Sequence, residues 1–186
     1  MLKEEIEHFF LISFAYAVAY SLTLGFVAPL QQMLLPNVPS SIGLLFLPHG
    51  VRILSFYFYG WKAVLYLLPA NYLFLLLSIQ NGIFLDPLSP IVSLMACYVG
   101  YLLATKFING EASQFNIKRW HFFVIAGAVS SIFNGITLSL LHFKDNSLLS
   151  ILGYVIGDVA GLAVCFFMLI YAFRIVRMAS FTERDS

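Results

Sequence analysis

The stretch LLSILGYVIGDVAGLAVCFFMLIYAF, residues 148–173, decides the fold class of this 186-residue chain. A helix needs about 20 mainly apolar residues to cross the hydrocarbon core of a membrane. This run exceeds that length and contains a single charged side chain, that of Asp158. It therefore predicts a transmembrane helix that carries a carboxylate at membrane depth.

The composition of the whole chain agrees with that interpretation. Hydrophobic residues make up 61% of the sequence and charged residues only 10%, whereas a soluble domain carries about a quarter charged residues. Mean hydropathy is +0.90. So few charges cannot cover a surface in water, so lipid must cover much of it. The formal net charge of +1 gives no reason to expect a nucleic-acid partner.

Further apolar runs divide the chain into membrane segments separated by polar or proline-containing loops. We predict an all-α fold, a polytopic transmembrane helix bundle that forms one domain over residues 1–186, with Pro48 breaking the second segment. A cleaved signal peptide is not expected, because the leader is acidic and the first run is too long. The six expected segments are residues 9–30, 42–59, 63–79, 88–107, 120–142 and 148–173.

The distribution of cations predicts the orientation. Six segments place eight Lys and Arg residues on the side of the termini and only Lys144 on the other side. Cytoplasmic loops carry the excess of cations, so both termini are expected in the cytoplasm. Omitting the proline-broken segment would scatter the cations to both sides, which argues against five segments.

Two charges, Arg52 and Asp158, fall in the interior of predicted segments, whereas Lys106 lies at the end of its segment. A charge at membrane depth costs several kcal/mol, so it normally has a partner and a role. Counting about 1.5 Å per residue from the segment ends places both near mid-membrane. An ion pair between them would either join two helices or form the polar floor of a ligand or ion site; lack of any contact is the third possibility.

Other polar residues could join such a site. Pro48 and Gly50 flank His49 and predict a break or re-entrant start, a feature from which membrane binding sites are often built. His49 is either a hydrogen-bonded structural residue or a proton-sensing or ligand-binding one. Asn71 and Asn134 either bond neighbouring helices or line the same cavity as the charges.

A stripe of small residues marks the last segment. Gly153, Gly157 and Gly161 recur every four residues, a spacing that lets another helix backbone approach closely. Cys97 and Cys165 lie in apolar runs without His or Cys at ligand spacing, so we interpret them as buried apolar side chains rather than as a metal site. No hydrolase, metalloprotease, P-loop or Rossmann motif is present, so neither enzymatic activity nor a cofactor is expected.

Two motifs together suggest a family. The first is Leu47-Pro48-His49-Gly50-Val51-Arg52, and the second is Gly157-Asp158-Val159-Ala160-Gly161. This pair resembles the MASE1 family of bacterial membrane-associated sensor domains. The resemblance implies a sensory module of the bacterial inner membrane. Leu47 departs from the family's usual Trp before the proline. Since such domains generally precede an output domain, the chain would signal through a partner protein or be part of a longer sensor.

We therefore expect a membrane sensor or small-ligand-binding module, in contact with lipid and with a protein partner or a second copy of itself. Two other functions remain open. One is the substrate-binding subunit of a transporter, which Ala15 and Ala19 could dock to its partner through a small-x-x-x-small pattern. The other is a structural or assembly subunit with the glycine stripe as its docking face.

Overall fold

A computed structural model describes residues 2–38, 43–80, 86–110, 119–141 and 148–182. Within these ranges the fold is all-helical, as the sequence predicts, and contains no strand. The cation Lys144 and most of the polar loop before Arg119 lie outside the described residues. The elements are α1 (Leu2–Leu22), a π-helical turn (Thr23–Val27), α2 (Ala28–Leu34), α3 (Leu47–Tyr59), α4 (Lys62–Gln80), α5 (Ser89–Gly110), α6 (Arg119–Leu141) and α7 (Leu148–Thr182).

Four of the helical stretches are long and apolar enough to cross a membrane by length and composition. They are Lys3–Leu34, Ser89–Ile108, His121–Leu138 and Ile151–Ala172. Lys62–Leu77 is a shorter apolar helix. Large apolar side chains cover the outer faces of these helices, and Phe10, Phe14, Phe107 and Phe167 are between 62% and 70% exposed. Exposed apolar surface on this scale is typical of contact with lipid.

The first helix contains a wide turn. α1, the π-helical turn and α2 follow one another without an interruption from Leu2 to Leu34. Pro29, in the first turn of α2, has no N–H to donate to the carbonyl one turn earlier. The π-helical turn lies directly before it, where a local adjustment of the hydrogen-bond pattern accommodates the missing donor.

α3 differs from the predicted second segment, residues 42–59. Helix begins at Leu47 rather than at residue 42, and residues 43–46 are not helical. Pro48 lies in the first turn of α3, where the absent N–H would lack an intrahelical partner anyway. Most of α3 is buried, including Ile53 and Phe56, because it packs among the other helices of the bundle.

Contacts between α1 and α4 define one end of the bundle. Lys62 donates a hydrogen bond of 2.6 Å to Glu5, and the Tyr66 hydroxyl donates to the same carboxylate. The start of α1 therefore lies beside the turn between α3 and α4. Gly60 closes that turn with a positive φ of 57°, a conformation that favours glycine.

Candidate functional site

The residues at the start of α3 lie directly on α7. The Phe46 N–H donates to the Gly157 carbonyl over 2.9 Å. A Cβ placed on Gly157 would overlap the carbonyl oxygen of Gly43, and one on Gly161 would overlap that of Phe46. The glycine stripe of α7 thus contacts residues 43–46, which are not helical. Gly153, one turn earlier, is buried.

Arg52 is the centre of a buried hydrogen-bond network. Its side chain contacts α1, α4 and α5, and the residue is 4% exposed. Nη2 donates to the Tyr16 hydroxyl at 2.7 Å and to the Asn71 Oδ1 at 2.9 Å. Nη1 donates to the Ser93 hydroxyl at 3.1 Å and lies 3.8 Å from the Cys97 thiol. These acceptors are all uncharged.

The network continues from Ser93 to α6. The Ser93 hydroxyl donates to the Asn134 Oδ1 over 2.7 Å. On the other side of the guanidinium, the Tyr16 hydroxyl donates to the Asn71 Oδ1, also over 2.7 Å. Arg52, Asn71 and Asn134 are therefore brought together, as the sequence suggested, with Tyr16 and Ser93 as the connecting residues.

The Arg52–Asp158 ion pair considered from the sequence is not formed. Within the described ranges, neither side chain has the other within the 4.0 Å that defines a salt bridge. Two aromatic rings flank the guanidinium instead, with its carbon 5.5 Å from the Tyr16 ring centre and 5.8 Å from that of Phe46. Such cation–π contacts stabilise a desolvated cation, and they leave both charges available to a third group.

Asp158 contacts His49 and Ser131. The Ser131 hydroxyl donates to the Asp158 Oδ2 over 2.7 Å, and the His49 Nδ1 lies 3.4 Å from the same oxygen. The angles do not make that second approach a hydrogen bond. His49 is completely buried and Asp158 is 3% exposed, so this contact is shielded from bulk water.

The contact of the His49 Nε2 determines the tautomer of this imidazole. Nε2 lies 3.1 Å from the Gly127 carbonyl, and a carbonyl only accepts, so Nε2 carries a proton. In neutral His49 the Nδ1 is then an acceptor facing a carboxylate.

A cavity of about 270 Å³ adjoins both clusters. Four of the five polar residues singled out in the sequence line it, Arg52, Asn71, Asn134 and Asp158, whereas His49 lies behind Asp158 outside the lining. The remaining walls include Tyr20, Phe46, Leu75, Ser93 and Leu138. The lining residues on α4–α7 lie in the halves of these helices remote from the Glu5–Lys62 contact, Tyr20 lies near the end of α1, and Phe46 directly precedes α3.

Replacing Asp158 by Asn should leave the free energy of unfolding within about 1 kcal/mol of the wild-type value. An amide nitrogen at the Oδ2 position can donate to the His49 Nδ1 and to Ser131, whose hydroxyl then donates to the Tyr154 carbonyl, 3.3 Å away. Asp158→Leu, of similar size, removes the hydrogen bond from Ser131 and places an apolar group beside the polar Nδ1 of His49, so it should cost about 1–3 kcal/mol. Thermal unfolding in detergent measures both; equal stability of the two variants would contradict this assignment.

Tyr16, Ser93 and Ser131 are the site residues that sequence reasoning missed. Ser131 lies three residues before Asn134, so the two share a helix face, and that spacing could have identified it. Ser93 is a hydroxyl in an otherwise apolar run, a weaker signal. Nothing in the sequence around Tyr16 distinguishes it from the other aromatic residues of α1.

No family model matches the chain, and neither a curated protein nor a solved structure does. The MASE1 resemblance, which depends on the motifs around Pro48 and Asp158, stays a prediction.

Proposed function

We propose that this chain is an integral membrane sensor, or small-ligand-binding module, which binds its ligand in the cavity beside Arg52 and signals through a partner protein. The observation that supports this most directly is the cavity. A polar cluster whose role is only to join helices has no need of a space of about 270 Å³ lined by two opposite charges. Pockets with a few convergent polar groups are the usual form of ligand sites.

The proposed topology has six membrane segments, the second broken at Pro48, with both termini in the cytoplasm of a bacterial inner membrane. The 13 residues of α3 extend about 20 Å. Residues 43–46, which are not helical, add at most about 13 Å. Together they can cover the hydrocarbon thickness of about 30 Å. Non-helical backbone is tolerated at membrane depth where protein lies against it, and here Phe46 donates a hydrogen bond to Gly157 of α7.

The Glu5–Lys62 contact supports the orientation, since it holds the N-terminus and the turn after α3 at one end of the bundle. The excess of cations that the sequence assigns to the cytoplasmic side includes Lys62, so this end would face the cytoplasm. The cavity, in the other half of the bundle, would then be reached from the opposite side of the membrane.

The small residues that could dock a partner protein are covered within this chain, and this favours sensing over the other two functions. Ala19 is 8% exposed, so the Ala15–Ala19 pattern is not an open docking face for a transporter partner. Gly157 and Gly161 are covered by residues 43–46 of the same chain, so the stripe is not free for another subunit. The MASE1 resemblance agrees with sensing.

Native mass spectrometry of the protein purified in mild detergent tests the ligand site. We expect a bound small molecule on the wild-type protein and its loss in Leu138→Trp, which fills the cavity. Ile136→Trp is the matched control, because Ile136 lies on the same helix but is 44% exposed on the outer surface. This control should retain the molecule.

A wild-type protein that carries no small molecule, under conditions where lipid adducts survive, would count against a ligand-binding function. So would equal retention by both tryptophan variants, because the molecule would then be bound elsewhere. Either result would favour a purely structural role for the polar cluster.

A further inference from the structure

The cavity contains two buried charges of opposite sign that do not contact each other. Arg52 is 4% exposed and Asp158 is 3% exposed, and both line the same space. Two such charges in a low-dielectric interior attract strongly and would normally be found in contact. Their separation across a cavity indicates that a third group completes the electrostatics.

Each charge keeps some capacity for a ligand. Nη1 of Arg52 donates one of its hydrogens to the Cys97 thiol at 3.8 Å. A thiol is a weak acceptor, so a ligand carboxylate would readily replace it. On Asp158, the contacts to Ser131 and His49 both use Oδ2. In the described part of the chain Oδ1 accepts no hydrogen bond, so it can accept from an ammonium group.

From these features we propose that the ligand is a small zwitterion, such as an amino acid, with its carboxylate at Arg52 and its ammonium group at Asp158, an assignment that rests on the proposed ligand-binding function. A simple anion would be attracted by Arg52 but repelled by Asp158, and a simple cation would meet the reverse. A zwitterion satisfies both charges and adds no net charge to the interior of the membrane.

The size of the cavity restricts the ligand further. The cavity volume of about 270 Å³ lies just below the range of roughly 300–1,000 Å³ that is usual for drug-sized ligands. A molecule of this size has few atoms beyond its charged groups. Leu75 and Leu138 line the cavity together with the two charges, so a short aliphatic portion fits beside them.

Thermal unfolding of the detergent-purified full chain can test the charge pattern with a matched set of four-carbon probes. L-2-aminobutyrate and 4-aminobutyrate are zwitterions that differ in charge separation, while butyrate, butylamine and butyramide carry one charge or none. We expect at least one zwitterion to raise the melting temperature in a saturable manner. The other three probes should bind about tenfold to hundredfold more weakly, the ratio expected for losing a hydrogen bond to a charged group.

Asp158→Asn provides the site-specific test, because it keeps the local hydrogen bonds and removes the charge. Its apparent Kd for the effective zwitterion should increase by about tenfold or more. Glu5→Gln is the matched control, since it makes the same carboxylate-to-amide change at the opposite end of the bundle. Its response should equal that of the wild type.

Three results would overturn the proposal: no response to either zwitterion, equal stabilisation by butyrate or butyramide, or an unchanged Kd in Asp158→Asn. These outcomes are distinct from failure of the proposed function. A co-purified molecule that is not zwitterionic, and that Leu138→Trp excludes, would leave the ligand site in place and refute only the zwitterion. An empty protein that also ignores every probe would refute both.

Discussion

Replacing Gly161 by alanine is expected to lower the free energy of unfolding by about 3 kcal/mol, the upper part of the range for overpacked sites. For a chain of this length that corresponds to a decrease in melting temperature of about 6–12 °C. The new Cβ would overlap the carbonyl oxygen of Phe46. A flexible side chain could rotate away, but this atom belongs to the backbone, so the start of α3 must separate from α7.

Gly25→Ala is the matched control, because a Cβ at Gly25 has nothing within 4 Å. There the substitution should be neutral or stabilise by about 0.5–1 kcal/mol, since alanine loses less conformational freedom than glycine in a helix. Unfolding of both variants in the same detergent gives the comparison. If Gly161→Ala is as stable as Gly25→Ala, residues 43–46 do not lie against α7.

Hydropathy identified the helical fold because a transmembrane helix depends on the average apolar character of a long run of residues. Runs such as residues 88–107 need only to be apolar and about 20 residues long, and α5, α6 and α7 formed where the sequence predicted them. The sequence did not locate the start of α3, because residues 43–46 are as apolar as a transmembrane helix. Their contacts with Gly157 and Gly161 are tertiary contacts, which no local pattern encodes.

The candidate site residues were identified from the energetic cost of burying polar groups, whereas the contacts among them could not be predicted. Buried polar groups in apolar segments are expensive, so Arg52, Asn71, Asn134 and Asp158 could be singled out, and all four line one cavity. Depth along the helices also suggested that Arg52 and Asp158 meet. Depth is only one coordinate, however, and the rotation of α3 turns Arg52 toward Tyr16 and Ser93 and His49 toward Asp158.

Arg52→Lys is expected to destabilise the protein by about 3 kcal/mol or more, although it conserves the charge. The guanidinium donates hydrogen bonds to Tyr16 and Asn71 through Nη2 and to Ser93 through Nη1. Lysine has one nitrogen in place of this fork, so it can reach only one side. Each hydrogen bond to a charged group is worth about 1.5–3 kcal/mol. Lys62→Arg, at the Glu5 contact, is the reciprocal control and should change stability by less than about 1 kcal/mol.

Arg52→Met separates the structural role of this residue from its proposed role in binding. Without the guanidinium, the Tyr16–Asn71 and Ser93–Asn134 hydrogen bonds remain, and no cation at this position has to be desolvated. Methionine should therefore cost less stability than lysine, by analogy with buried charges replaced by apolar residues. It should nevertheless abolish the response to any carboxylate ligand, because no cation is left in the cavity. If Arg52→Met unfolds more readily than Arg52→Lys, the cation itself, and not its fork of donors, holds α1, α3, α4 and α5 together.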